Sequence, residues 1–403
     1  MEAPSRQIII AGAGIAGLTA ALAFAHRGFS VQIFERAAGL AEVGAGLQIS
    51  PNATRILNML GVLTALRAVA VRPEAVVLRN GATLAETARV PLGEYAELRW
   101  RAPYLVAHRA DLQAALLAEA GRHPDIRLTM NAPIRDVAVH ARGVTVAFER
   151  DDRPGEATGL LLVGADGVWS TVRPLAGGGR SRYSGRLAWR SMLRTDSEAG
   201  RAFARIAPAD RVTAFMDPAI HLVAYPVRGG ASLNLVAVTA GEGLGQGWSQ
   251  TADPAILQQA LAGTAPEVSQ LADDASPWQA WPLHQVDPAQ RWTDGRTIAL
   301  IGDAAHAMTP FAAQGAAMGI EDAAVLADCV AKSPGDTARA LAAYEAQRKP
   351  RVRKVVRRGA FNHFTWHASG PVASARDMVL KILPATKLAR DLDWLYGWKA
   401  PGS

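Results

Sequence analysis

The sequence predicts an α/β fold in three parts: a parallel βαβ frame, a mainly β section inserted into the middle of the chain, and a helical C-terminal region. Three observations carry this. The apolar run Ile8-Ile9-Ile10-Ala11 leads into Gly12-x-Gly14-x-x-Gly17 and returns as Val31-Gln32-Ile33-Phe34, the pattern of strand, glycine turn, helix and strand. Short alternating segments crowd residues 183–240, the period of half-buried strands. Beyond Gly302 a helical pattern runs to the end, broken at Ser333-Pro334-Gly335 and near Gly370-Pro371.

Taken in order, the first helix is expected from about Leu18 to His26, with Gly28 as its break. Ser50-Pro51 opens a second, to about Leu63, because proline is tolerated in a first turn whose N–H has no helical partner. A third starts at Arg109 or Ala110 and reaches about Ala120, with Asp111 in an acid-favouring first turn. Strands follow at about 126–128, 137–139, 144–148 and 159–163, then at 221–226 and 232–238 within the inserted sheet.

A chain of 403 residues, 49% hydrophobic and 20% charged, can bury a large core. Its net charge of +7 comes mostly from scattered arginines, the first lysine being Lys332, so the balance reads as a mildly basic surface and no nucleic-acid partner is expected. The cluster Arg348, Lys349, Arg351, Arg353, Lys354, Arg357 and Arg358 reads as a solvated or subunit-contacting helix face. One cysteine, Cys329, excludes an intramolecular disulfide. Residues 8–25 carry no charge, but three glycines and the return to a strand argue against a membrane span. A soluble cytoplasmic monomer or homodimer is expected. No Cys pair, His-Glu-x-x-His or Walker loop is present, so no metal site is expected.

The glycine motif has the context of a dinucleotide fingerprint. Gly12 permits a tight turn, Gly14 lets backbone approach a pyrophosphate, and Gly17 lets helix and strand close together. Glu35, 18 residues after Gly17, is placed for a ribose diol, and Arg36 belongs to the same site. This leaves NAD and FAD open, since both present the same ADP half. A second element, residues 297–303, is a buried strand ending in Gly302-Asp303, followed by a helix after Pro310-Phe311-Ala312-Ala313-Gln314-Gly315. A nicotinamide dinucleotide has little use for that distant aspartate; the ribityl chain of FAD needs one. Asp303 then accepts from a ribityl hydroxyl, and the N–H groups at Gly315 and Ala316 face the flavin pyrimidine. His306 reads as a packing residue.

These elements, with 44–52, His108-Arg109-Ala110-Asp111-Leu112, residues 162–173 and Gly302 through Asp322, give a chain that resembles the single-component FAD-dependent aromatic hydroxylases. These are the group A flavoprotein monooxygenases, and the likeness is to their salicylate and 3-hydroxybenzoate hydroxylase branch. The resemblance implies a Rossmann-like FAD-binding domain with an inserted mainly β substrate domain and a helical C-terminal region. The FAD-binding parts would be 1–70, 106–180 and 286–330, the substrate parts 71–105 and 181–285, and the C-terminal helices 331–403. It implies that Asp166 and Gly167 serve both FAD and the donor, and that Arg109 touches the FAD phosphate or ribityl region. NADH or NADPH would bind only transiently, in keeping with the single fingerprint. Its reaction would hydroxylate a small phenolic or hydroxylated N-heteroaromatic acid with O2, through a flavin C4a-hydroperoxide.

That electrophilic oxygen needs an electron-rich ring, and phenol, with a reference pKa of about 10, is ionised to only about one part in a thousand at pH 7. A positioned base is the economical answer. His221 and Tyr225 share one strand face, four residues being two pleats. Alone, a histidine on a strand is more often a hydrogen-bonded core residue; the resemblance places the branch's base and its accompanying tyrosine at His221 and Tyr225. It also places Gln48 and Pro310 beside the substrate. Some relatives have histidine at the Gln48 position, which leaves the substrate's identity open. Two rivals stand beside this reading: a flavin oxidase or dehydrogenase that inserts no oxygen, and a non-catalytic flavoprotein. The lack of an N-terminal lysine counts against a flavin halogenase.

Overall fold

The computed structural model describes residues 6–40, 46–141, 143–151, 153–242, 252–275 and 277–401; Gly44 and Ala45 of the 44–52 motif lie outside them. The frame is a parallel sheet whose strands stand in the order Ile298–Leu300, Leu161–Gly164, Gln7–Ala11, Ser30–Phe34, Ile126–Thr129. Ile8, Ile9 and Ile10 are all fully buried, because helices cover both faces of such a sheet and no side of the strand meets water.

The first helix is Ile15–Ala25, beginning earlier than the apolar periodicity suggests. Extended Gly14 is its N-cap, so Gly17 falls in the first turn. A Cβ there would lie 2.0 Å from the Gly12 carbonyl oxygen, and only glycine lets the turn close. The expected helix over 50–63 is two, Pro51–Met59 and Leu63–Arg67, parted at Gly61, whose φ of +79° takes it out of the helix. Residues 159–163 likewise divide between two strands. Arg153–Gly159 belongs to an antiparallel sheet with Gly143–Arg150 and Ile134–His140, while Leu161–Gly164 enters the frame. The crossing is made at Leu160, whose amide donates to the Gln7 carbonyl at 2.8 Å.

The second large sheet has seven strands, in the order Gln279–Gln285, Arg182–Arg194, Ser232–Ala240, Ile220–Val227, Val212–Met216, Ala75–Asn80, Glu86–Pro91. The register sets Arg190 beside Val236 and Val223, and Ala188 beside Val238 and His221. Period two then separates two jobs. Trp189, Leu222, Leu235 and Ala237 point into a second hydrophobic core, while Arg190, Val236, Val223 and His221 line a cavity.

The basic cluster lies on the helix Thr337–Trp366, and the expected solvated face is corrected in part. Arg353, Lys354 and Arg357 are exposed, but Arg348 is fully buried. It donates to Glu321 at 2.5 Å and Asp322 at 2.7 Å, both buried on the helix Gly315–Ala331. Arg351 adds a fork to Glu321 at 2.6 and 2.7 Å. His306 Nε2 lies 2.5 Å from Asp322, and Asn52 donates to Glu321 at 2.7 Å. Two carboxylates in the core demand two cations, and the helix supplies them. Burial pushes the Asp322 carboxyl up, but His306 and Arg348 outweigh it and hold the group at about 2.

No helix among the described residues is long and apolar enough to cross a membrane, and no group of His, Cys, Asp or Glu among them is arranged to hold a metal. Replacing Arg348 by methionine should lower unfolding free energy by about 3–5 kcal/mol in urea titrations, because two buried carboxylates lose their partner. The contribution of Asp322 should be complete above pH about 4, the ordinary carboxylate value, and fall away as pH drops toward 2. Asp322→Asn should flatten that acid limb of stability against pH.

Candidate flavin and substrate site

The carboxyl ends of the parallel strands open on one crevice, the place where such sheets bind ligands. Gly12 turns out of the first strand at φ +104°, its amide donating to the Phe34 carbonyl at 2.8 Å. A Cβ on it would meet the Ala165 carbonyl oxygen at 2.7 Å. Gly14, Gly167 and Gly315 are different: a Cβ on any of them would meet nothing within 4 Å, and all three line the cavity. These are stretches of bare backbone facing open space, as a bound cofactor needs. Glu35 accepts from the Ala13 amide at 2.8 Å and the Ala37 amide at 2.9 Å, tying the glycine loop to the second strand. Arg36 is exposed and does not border the cavity.

Asp166 accepts from the Thr171 and Val172 amides through one oxygen, at 2.7 and 3.3 Å; its other oxygen is buried with no partner among the described residues. Arg109 is the first residue of the helix Arg109–Ala120 and lines the cavity. Asp303 follows Gly302, whose φ of +58° makes the turn, and opens the short helix Asp303–His306 at the cavity edge. Gly315 and Ala316 begin a 17-residue helix, so free N–H groups of its first turn border the same space. An orphaned carboxylate oxygen, an aspartate at a crevice, an arginine and three open glycine backbones fit the pyrophosphate, ribityl and ring of FAD.

The cavity, about 400 Å³, continues from this cradle to the seven-stranded sheet. Val76, Val212, Val223 and Val236 make an apolar floor. His221 is 3% exposed, and burial first, then His367, His363 and Arg186, hold its imidazole well below the ordinary histidine range. It is therefore neutral at pH 7 and able to accept a proton. Tyr225 is buried four residues along the same strand face, near Arg190, its phenol pushed up by burial against the opposing pull of that guanidinium. Gly46 lies so close to Tyr225 that a Cβ would come within 2.5 Å of the ring. Gln48 accepts from the Tyr104 hydroxyl at 2.7 Å and reaches the cavity. Pro310 starts the turn Pro310–Ala312, which delivers Phe311 to 5.0 Å from the His221 ring.

Sequence reasoning missed Arg190. Its guanidinium stacks over Trp281 at 4.7 Å, its Nε is buried with no partner among the described residues, and burial lowers it to about 10 despite Tyr225. The available signal was a charge at an inward position of a strand. His363 and His367 were missed too: they lie at the far end of a helix, and no local pattern couples them to His221, although His221 Nδ1 is 3.3 Å from His367 Nε2.

Residues 5–359 match the family described as FAD binding domain. The chain is 33% identical over 396 residues to a 3-hydroxybenzoate 6-hydroxylase of Klebsiella oxytoca, covering 97% of this chain and 96% of the relative. It is 34% identical over 360 residues to a 6-hydroxynicotinate 3-monooxygenase of Pseudomonas fluorescens, covering 88% and 90%. Among solved structures it resembles Klebsiella pneumoniae HpxO complexed with FAD and uric acid, at TM-score 0.81 and 26% identity over 96% and 95% of the two chains. A salicylate hydroxylase substrate complex shares the fold at TM-score 0.80 and 23% identity, covering 98% and 95%. With an FAD-shaped cradle opening onto a cavity that holds a neutral histidine, the chain belongs to the FAD-binding-domain family and, within it, to the group A FAD-dependent aromatic hydroxylases.

Proposed function

We propose that the protein hydroxylates a small, single-ring aromatic acid that already carries a ring hydroxyl, a hydroxybenzoate or hydroxypyridine carboxylate, using O2 and NADH or NADPH. One oxygen atom enters the ring and the other leaves as water. The observation that carries this is the pairing of a cation whose buried Nε has no hydrogen-bond partner among the described residues, Arg190, with a neutral histidine, His221, on one face of the sheet that roofs the cofactor cradle. They stand two strands and two residues apart in register, which separates their backbones by about 12 Å. That span accommodates two side chains and one ring between them.

Arg190 then holds the substrate carboxylate, a charge-assisted contact that also relieves the desolvated guanidinium. At the ring's other end His221 takes the hydroxyl proton and makes the ring electron-rich, while Tyr225 borders the ring from the Arg190 side. Gln48, oriented by Tyr104, and Pro310 border the ring. The valine floor excludes water, which protects a reactive oxygen donor from discharge as peroxide. FAD, when bound, supplies oxygen activation and transfer. Asp303 holds its ribityl chain, Arg109 and the Gly12–Gly17 loop its phosphates, and Glu35 its ribose, with Arg36 at the outer edge. Asp166 and Gly167 serve the flavin and the passing donor, and Gly315 and Ala316 offer N–H groups to the ring. The wide match to relatives supports FAD-binding parts at 1–70, 106–180 and 286–330, substrate parts at 71–105 and 181–285, and C-terminal helices at 331–403. A buried, unpaired Cys329 suits a reducing cytoplasm, and a monomer or homodimer suffices, since this chain alone supplies the cavity.

A panel of hydroxybenzoates and hydroxypyridine carboxylates, scored for NADH and NADPH consumption against peroxide release, should identify one coupled substrate. Its product should carry one labelled atom from labelled dioxygen; unlabelled product would establish an oxidase instead. His221→Ala should keep its yellow colour and lose about 100-fold or more in coupled kcat. Arg190→Gln should raise KM for the acid by about 10- to 100-fold and change binding of the neutral amide analogue little.

A further inference from the structure

We propose that His367 is the positioning residue of this site: it fixes the tautomer of His221 and carries the substrate's proton from the cavity to solvent. This rests on the reading of His221 as base. The carbonyl oxygen of His363 can only accept, and His367 Nδ1 lies 2.9 Å from it, so Nδ1 bears the hydrogen. In a neutral ring the other nitrogen, Nε2, then carries the lone pair. That lone pair faces His221 Nδ1 at 3.3 Å, so Nδ1 of His221 must be the donor. By the same rule His221 is left with its lone pair on Nε2, while the ring lines the cavity. One main-chain carbonyl at the end of a helix thus dictates, through two imidazoles, which nitrogen of His221 can take a proton.

A relay is also required by energetics. Burial and the neighbouring His367, His363 and Arg186 disfavour a proton resting on His221, and burial, with Arg186, holds His363 down to about 4. With phenol near 10 and His221 below 6.5, transfer to His221 as a final resting place is uphill by more than about a thousandfold. The proton has to travel on. The substrate O–H breaks as His221 Nε2–H forms; His221 Nδ1–H breaks as His367 Nε2–H forms; the His367 Nε2 proton then leaves to solvent, and the reverse transfers, from solvent through His367 to His221 Nδ1 and from His221 Nε2 to the product's ring oxygen, restore both resting tautomers. Burial, with Arg186, also holds His367 below the ordinary histidine range, opposed by the His363 carbonyl and Asp217, so a proton arriving there is passed on; its ring is only part buried and is the outermost of the pair. Phe311 packs against His221 at 5.0 Å, His363 at 4.6 Å and His367 at 6.0 Å, and holds the array in place.

The FAD-loaded protein labelled with 15N-histidine tests the tautomer without any substrate. At pH 7.5, His221 should show a protonated Nδ1 and a bare Nε2. His367→Gln, whose amide oxygen can accept from His221, should keep that state; His367→Phe should lose it. With the panel compound of highest coupled turnover as probe, His367→Gln should lower coupled kcat at least tenfold, hold the substrate Kd within about threefold, and be partly rescued by added imidazole. A His221 carrying hydrogen on Nε2, or a His367→Gln enzyme within twofold of wild type, overturns the proposal. If instead His221→Ala leaves turnover unchanged, the base assignment beneath it fails.

Discussion

Glu321 and Asp322 stand side by side on one helix, sealed from water, and the cations around them hold the molecule in register. Their partners come from three separate stretches: Asn52 from the helix Pro51–Met59, Gly302 and His306 from the turn carrying Asp303, and Arg348 and Arg351 from the long C-terminal helix. A misplaced element would strand a charge in the core, at a cost no nearby apolar contact could offset. The same bonds that fix the helix Gly315–Ala331 therefore fix the Gly302 turn against it. Asp303 and the N–H groups at Gly315 are held at one distance from each other before any cofactor arrives.

Electrostatics divides the interior into two regions of opposite design. Around Asp322 every charge meets its complement, and the carboxyl is held at about 2. Along the substrate face, Arg190 keeps a buried nitrogen without a protein partner, and His221 is surrounded by groups that oppose its protonation. The first arrangement stabilises the fold. The second leaves interaction energy unsatisfied where a ligand of matching charge can collect it, the arrangement expected of a binding site.

The frame was largely legible in the sequence because its signals are local. Gly12, Gly14 and Gly17 differ in what a Cβ would strike, and the motif already assigns them different tasks; Gly302-Asp303 likewise ends a strand as expected. Boundaries were less so, since Gly61 and Leu160 act through turns that hydropathy does not register. The basic helix was misread for a related reason. Nothing near Arg348 in the chain tells that two carboxylates some 26 residues earlier are buried against it. Arg190 and His367 were illegible in a deeper way, because each becomes significant only through a partner brought in by the sheet or by the packing of helix on sheet.

The alternation along the seven-stranded sheet has a consequence for how such an enzyme can diversify. Residues 214, 223 and 236 line the cavity, while their chain neighbours Phe215, Leu222, Ala224, Leu235 and Ala237 anchor a separate core. Exchanging one inward valine reshapes the space around a ring without opening a void on the other side. Selection can thus explore new ring substituents on a scaffold whose folding energy and oxygen chemistry are kept elsewhere.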